Sequence, residues 1–353
     1  MFITGVGTAA PQQRYAQQDC WAVLRQSRRY QEFDGRARAL LKKVLNGNNG
    51  TSTRHLALDD LEEAFDIRPD VLQERFARNA PQLATQAAER ALTDAGNRPS
   101  EIDAVIISTC TGYLCPGLTS YVSERLGLRP DVLALDLVGQ GCGAALPNLR
   151  TAEALLRAGR SERVLSICVE VCSAALFFDN DPGVLVSACL FGDGAGAAVL
   201  APAPQGNGHR RLEWKASGSL LNPLDRDLLR FEHQAGMLRN ILRPEVPARA
   251  AEYAEKVFAS VLGRAGVERQ QVKGWVLHPG GRDVLAALRE RLQLTENDVR
   301  WSEAVLREYG NVSSSSVFFV LQTALADGAP GGYWWMSSFG AGFSCHGALM
   351  EVG

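Results

Sequence analysis

No apolar run in this sequence approaches the roughly 20 residues that a membrane-spanning helix requires, so no membrane span is expected. Charge of one sign is also missing: 37 Lys and Arg stand against 39 Asp and Glu, for a net charge of -2. That excludes the global basic field of a nucleic-acid binder and the acidic tail of a solvating segment. Residues 1–11 (MFITGVGTAAP) lack the charged start and long apolar segment of a secretory signal, which makes the cytoplasm the expected compartment. Metal-ligand spacing is absent as well. Cys110 and Cys115, and Cys168 and Cys172, are irregularly spaced and have no neighbouring histidine, so no metal is expected. In a reducing compartment most of the eight cysteines read as small core residues. What is present is a chain of 353 residues with 46% hydrophobic and 22% charged content. That is enough for a large core, in one big domain or two fused halves.

The first 80 residues read as polar and helix-leaning, broken by the loop 46–53 (NGNNGTST). A β/α alternation follows. Residues 81–95 have helical spacing with Gly96 as a stop signal, and 103–110 form a short apolar strand. Strand 132–138, helix 143–158 with Gly159 as its stop, and strand 163–171 continue the pattern. Pro and Gly cluster at 201–208, which marks a junction and gives halves 1–203 and 204–353. The second half repeats the order: helix 246–264, strand 274–278, helices 282–292 and 313–326, strand 333–338. The halves match at nearly constant offsets. Ala95-Gly96 and the strand after it align with Ala265-Gly266 and its strand at offset 170, and 142–159 aligns with 311–328 at offset 169. These offsets predict a duplicated, layered α/β protein.

The same alignment isolates three residues at strand and helix ends, where α/β proteins place functional groups. Cys142 lies in Gly139-Gln140-Gly141-Cys142-Gly143, at the start of a helix. The glycines permit a tight turn, and the helix dipole and unpaired N–H groups favour a thiolate; the alternative is a buried structural cysteine. His278, in Leu277-His278-Pro279-Gly280-Gly281, ends a strand. It can share a proton with a thiol or donate to an oxyanion, or it can simply cap the strand. Asn311, in Tyr309-Gly310-Asn311-Val312-Ser313, offers two uncharged N–H donors or acts as a plain N-cap. The glycine-rich segments 192–196 and 340–342 precede strands rather than helices, which argues against a dinucleotide loop.

Taken together and in order, Gly139-Gln140-Gly141-Cys142-Gly143, Phe191-Gly192-Asp193-Gly194, His278-Pro279-Gly280-Gly281, Gly310-Asn311-Val312-Ser313 and Ser338-Phe339-Gly340-Ala341-Gly342 resemble the motifs of type III polyketide synthases, the chalcone and stilbene synthase family. The resemblance implies a thiolase fold, with two pseudo-twofold-related halves in a layered αβαβα architecture, and a homodimer. It implies that Cys142 is the nucleophile and that His278 and Asn311 bind the malonyl thioester carbonyl. Phe191 matches a gatekeeper; a second gatekeeper phenylalanine is missing from 235–240, where Leu238 lies. Phe339 and Gly340 belong to the final motif, in which Ala341 stands where plant members carry proline. Cys115 matches a residue that reaches the partner subunit's cavity, and Arg54, with Lys42 and Lys43, is expected at the CoA phosphates. Cys110 and Ala175 suggest cavity room for a long apolar chain. The implied activity is loading of a fatty acyl-CoA, decarboxylative condensation with malonyl-CoA, and closure to an alkylresorcinol or alkylpyrone, with CoA thioesters as substrates and no cofactor. The alternatives are a single-condensation ketoacyl synthase that uses an acyl carrier protein, and a catalytically silent thiolase-fold partner subunit.

Overall fold

Two segments of nearly pure apolar sequence set the architecture. AVIIS and VLSICVE are buried along their whole length as β4 (Ala104–Ser108) and β6 (Val164–Glu170), as expected of strands covered on both faces. The structure, a computed structural model, describes residues 1–47, 49–204 and 210–353. The preceding elements are β1 (Phe2–Ala9), β2 (Arg14–Ala16), α1 (Gln17–Gln26), α2 (Arg28–Glu32), α3 (Gly35–Asn46), β3 (Thr53–His55) and α4 (Pro69–Ala95). The first half continues with α5 (Leu118–Leu126), β5 (Leu133–Leu137), α6 (Ala145–Arg157), α7 (Pro182–Leu190) and β7 (Gly194–Ala201). After it come β8 (Leu212–Leu221), the hairpin β9 (Leu229–Gln234) and β10 (Met237–Leu242), α8 (Val246–Ala265) and β11 (Val272–Leu277). The chain ends with α9 (Arg282–Arg291), α10 (Glu296–Tyr309), α11 (Ser316–Ala326), β12 (Gly332–Gly340) and β13 (Ser344–Val352).

The main sheet has the order β11-β12-β13-β8-β1-β7-β6-β4-β5. Outward from its middle, β1-β7-β6-β4 and β8-β13-β12-β11 are the same series, antiparallel twice and then parallel. The duplication therefore appears as strand order. Local stops repeat too: α4 and α8 end at Gly96 and Gly266, both with φ of 65°, the left-handed cap that glycine adopts without strain. β1 and β8 pair only at Phe2 with Glu213 and Ile3 with Leu212, so two half-sheets face each other as layers. Between them lie α6 and α11, with Leu146, Leu149, Phe318 and Val320 in one core. The alanine face of α4 packs on the outside of the first half-sheet, and α8 packs on the outside of the second. The result is the five-layer αβαβα stack of the thiolase fold.

The repeat is broken at one edge. β5 adds a strand beside β4, whereas β11 has no such neighbour among the described residues. There α10 closes the edge: Ser302 Oγ donates to Leu277 O at 2.8 Å and accepts from Leu277 N–H at 3.3 Å.

Two sequence expectations need correction. The amino-terminal 80 residues are not uniformly helix-leaning, because β1 is a central strand. Its glycines are a packing device: a Cβ at Gly5 would lie 2.3 Å from Ala91 O, so only glycine lets the strand meet α4 this closely. The helix expected from residue 81 starts at Pro69 and runs through Pro81. A residue missing its N–H mid-helix is tolerated here inside a buried, alanine-rich face. Of the expected junction 201–208, residues 205–208 lie outside the described residues, as does residue 48 of the loop 46–53. Among the described residues, no helix is long and apolar enough to cross a membrane.

Candidate active site

Each half supplies one turn that leads into a central helix. In the first half, the turn after β5 uses Gly139 (φ 85°) and Gly141 (φ 54°), and a 3-10 turn Gly141–Gly143 runs into α6. It rests on the last motif. A Cβ on Gly340 would lie 2.4 Å from Gln140 O and 2.5 Å from Gly143 N, and Ser338 Oγ donates to Gly143 O at 3.0 Å. In the second half, Gly310 (φ 69°) turns the chain into Asn311, and the 3-10 turn Ser313–Ser315 runs into α11.

The two turns meet at their side chains. Cys142 Sγ stands 3.2 Å from Ser313 Oγ. Ser313 N–H donates to Asn311 Oδ1 at 2.8 Å, and Asn311 Nδ2 donates to Gly280 O at 3.3 Å. Gly280 N–H returns to His278 O at 2.9 Å. Short contacts thus connect Cys142, Asn311 and His278. The carboxamide is held at both ends, and one N–H of its Nδ2 has no partner among the described residues. His278 is fixed by its backbone bond to Ser337 O and by the edge-on ring of Phe339 at 5.2 Å.

Electrostatics corrects the thiolate expected from the helix start. Cys142 is buried, and burial pushes its thiol up to about 12, outweighing the hydrogen bond from Ser313. Burial drives His278 the other way, to about 3, and its Nδ1 has no partner. Burial thus favours the uncharged form of both the thiol and the imidazole.

Sequence reasoning missed an acidic centre beside the thiol. Glu170, at the end of β6, is fully buried and accepts from Thr111 Oγ1 at 2.9 Å, Cys110 N–H at 3.0 Å, Ser314 Oγ at 2.5 Å and Ser313 Oγ at 3.3 Å. Burial raises its carboxyl above the ordinary range despite these donors. Its only signal in the sequence was a carboxylate inside an otherwise apolar strand.

An apolar cavity opens from Cys142. It passes Cys110, Ala175 and Phe191 and reaches Leu24, Leu41 and Leu45 of the amino-terminal helices. His278, Asn311, Phe339 and Gly340 do not line it; Ala341 does. Leu238 does not line it either, because it sits nearer the hairpin turn of β9–β10. The inward position is Asn240, buried and donating to Ser187 Oγ at 2.8 Å. Cys115 is exposed on a loop before α5 and does not touch its own chain's cavity. Arg54 is not a surface cation poised for phosphates. It is 5% exposed, forms part of the cavity wall, and donates to backbone carbonyls, whereas Lys42 and Lys43 remain exposed on α3. Among the described residues, no group of three His, Cys, Asp or Glu side chains could hold a metal ion.

Comparison with known proteins gives matches in both halves. Residues 3–204 match "Chalcone and stilbene synthases, N-terminal domain" and residues 231–350 match "Chalcone and stilbene synthases, C-terminal domain". The chain is similar to the 3,5-dihydroxyphenylacetyl-CoA synthase of Streptomyces toyocaensis, with 29% identity over 99% of this chain and 89% of that one. It is 28% identical to the alpha-pyrone synthesis polyketide synthase-like Pks18 of Mycobacterium tuberculosis, over 85% of this chain and 79% of that one. Among solved structures, the type III polyketide synthase domain of Steely1 from Dictyostelium superposes with a TM-score of 0.90 at 25% identity, covering 99% of this chain and 98% of that one.

Proposed function

The chain belongs to the chalcone and stilbene synthase family, and we propose that as a type III polyketide synthase it loads a fatty acyl group from CoA onto Cys142, extends it with malonyl-CoA, and closes an alkylresorcinol or alkylpyrone. The observation that carries this reading is the run of short contacts that joins Cys142, on the wall of an apolar cavity, through Ser313 to Asn311 and through Gly280 to the backbone of His278.

Loading exchanges one thioester for another. Cys142 sulfur bonds to the acyl carbon, the bond to CoA sulfur breaks, and the S–H proton ends on the released CoA thiol. With the thiol and imidazole both uncharged, proton transfer accompanies attack, and we assign that transfer to His278. In extension, malonyl-CoA loses CO2 and its electron pair moves onto the thioester oxygen as an enolate. The free N–H of Asn311 and an imidazole N–H of His278 donate to that oxygen. One such donor is worth roughly 3 kcal/mol in comparable oxyanion sites. The enolate carbon then bonds to the acyl carbon on Cys142, the C–S bond breaks, and the leaving sulfur takes a proton from solvent. The extended chain, now a β-ketoacyl-CoA, reloads onto Cys142 by the same thioester exchange for the next round. An uncharged amide suits this position, because a carboxylate would repel the enolate.

The fatty starter is supported by the apolar wall running to Leu41 and Leu45 and by the small Ala175. A pyrone product is supported by the mycobacterial relative, whose name specifies alpha-pyrone synthesis. We assign the enzyme to the cytoplasm as a homodimer. The edge strand β5 and the exposed Tyr113 (71%) and Val138 (67%) support a second copy covering that face. Incubation with a ladder of acyl-CoAs plus malonyl-CoA, with products read by mass, tests the reading. Chains extended more than once are expected; one extension, seen only with an acyl carrier protein, would overturn it in favour of a single-condensation synthase.

A further inference from the structure

We propose that Arg54 is a positioning residue for Asn311, holding from behind the joint that aims the amide. The inference rests on the role given to Asn311 above. Arg54 lies in β3, and its Nη1 donates to Ala188 O at 2.7 Å and Phe191 O at 2.9 Å, while Nη2 reaches Cys20 Sγ at 3.6 Å. A buried guanidinium is costly unless its donors are used; here two carbonyl oxygens receive Nη1, while Nε has no partner among the described residues.

Those carbonyls belong to the segment that pairs with Asn311. Phe191 and Asn311 form a parallel bridge: Asn311 N–H donates to Leu190 O at 3.0 Å, and Gly192 N–H donates to Asn311 O at 3.0 Å. The stem of Arg54 also fills the space beside Gly310. A Cβ there would lie 3.1 Å from Arg54 Cγ and 2.5 Å from Leu190 O. β3 fastens the same joint a second time. Asp193 N–H donates to His55 O at 2.8 Å, and the His55 ring stacks on Tyr309 at 5.1 Å. Residues on both sides of the amide are therefore tied to one three-residue strand, and Arg54 supplies the bonds nearest the bridge. Its contacts do not reach Cys142. Loss of the guanidinium should therefore mis-aim the amide and leave the thiol in place.

The test uses the full chain with Arg54→Met, which keeps the stem without donors, and Arg54→Lys, which restores one charged donor. Intact mass follows acylation of Cys142 by an acyl-CoA, and CO2 release from malonyl-CoA gives kcat and KM. Arg54→Met should lower kcat for CO2 release from malonyl-CoA by about ten- to a hundredfold, the scale of a misplaced reacting group, and by clearly more than it lowers the acylation rate, which Arg54 touches only as part of the cavity wall. Arg54→Lys should recover part of kcat. Unchanged CO2 release, or an equal fall in acylation and CO2 release, overturns the proposal. If Arg54→Met does not fold, the same split or its absence is read in Arg54→Lys. Wild-type protein that releases no CO2 refutes the role of Asn311 itself; normal wild-type release without a selective loss in the variants refutes the role of Arg54 alone.

Discussion

Cys142 Sγ and Ser313 Oγ lie 3.2 Å apart although 171 residues separate them. Each stands in the 3-10 turn that opens a central helix, α6 in one half and α11 in the other. The duplication thus places the start of one copy's helix against the start of the other's, and the site forms at that seam.

The division of labour across the seam predicts separable steps. Cys142→Ala should abolish acylation and polyketide formation and leave measurable CO2 release, because Asn311 and His278 remain. Intact mass after incubation with an acyl-CoA, alongside labelled CO2 release, checks both halves of the statement.

Asn311→Asp replaces a donor with a carboxylate beside a developing enolate. CO2 release should fall by about 100-fold or more, the effect of losing one oxyanion donor, while Cys142 still acylates. Steady-state kinetics with malonyl-CoA alone reads this directly.

Gly340→Ala should cripple the enzyme without touching substrate. Its Cβ would lie 2.4 Å from Gln140 O and 2.5 Å from Gly143 N, so the nucleophile turn must move. A stability loss of about 1–3 kcal/mol, typical of overpacking, should accompany a fall in acylation. Urea unfolding and the acylation rate measure the two effects.

Burial of neutral His278 makes stability pH-dependent. Its folded value, about 3, lies below the ordinary 6.5, so the unfolded chain binds the proton first. The stabilisation is complete above pH 6.5 and is lost as pH falls from there towards 3. At pH 5 the loss is about 2 kcal/mol for this group. Glu170, raised by burial, contributes with the opposite sign, since its stabilisation is lost as pH rises. The comparison of wild type with His278→Gln isolates the histidine: the variant should lose about 2 kcal/mol less between pH 7 and pH 5. Equal losses in the two proteins would contradict it.

Val138→Asp places a charge on the exposed edge beside β5. If a second copy covers that face, the variant should elute as a monomer where wild type elutes as a dimer. Light scattering on the column effluent distinguishes them.

Much of this was legible along the chain because it is local. Left-handed caps at Gly96 and Gly266, the apolar strands β4 and β6, and the glycine turn around Cys142 are written in adjacent residues, and the offsets of 169 and 170 reveal the repeat. Other features depend on what arrives from elsewhere. β1 is glycine-rich and reads weakly as a strand, and only contact with α4 explains its glycines. Helix starts argued for a thiolate at Cys142, but burial among distant elements prevailed, because desolvation of a charge exceeds what a dipole and one hydroxyl return. Arg54 looked like a surface cation until β3 was seen to lie behind Phe191, and Glu170 gained meaning only once Thr111, Ser313 and Ser314 closed around it. The sequence by itself determined the duplicated α/β plan and which residues bear reactive groups, since periodicity and turn chemistry act between neighbours. Protonation states, the direction of the cavity and the bracing of Asn311 were decided by the tertiary structure, because burial and hydrogen-bond partners come from residues far away in the chain.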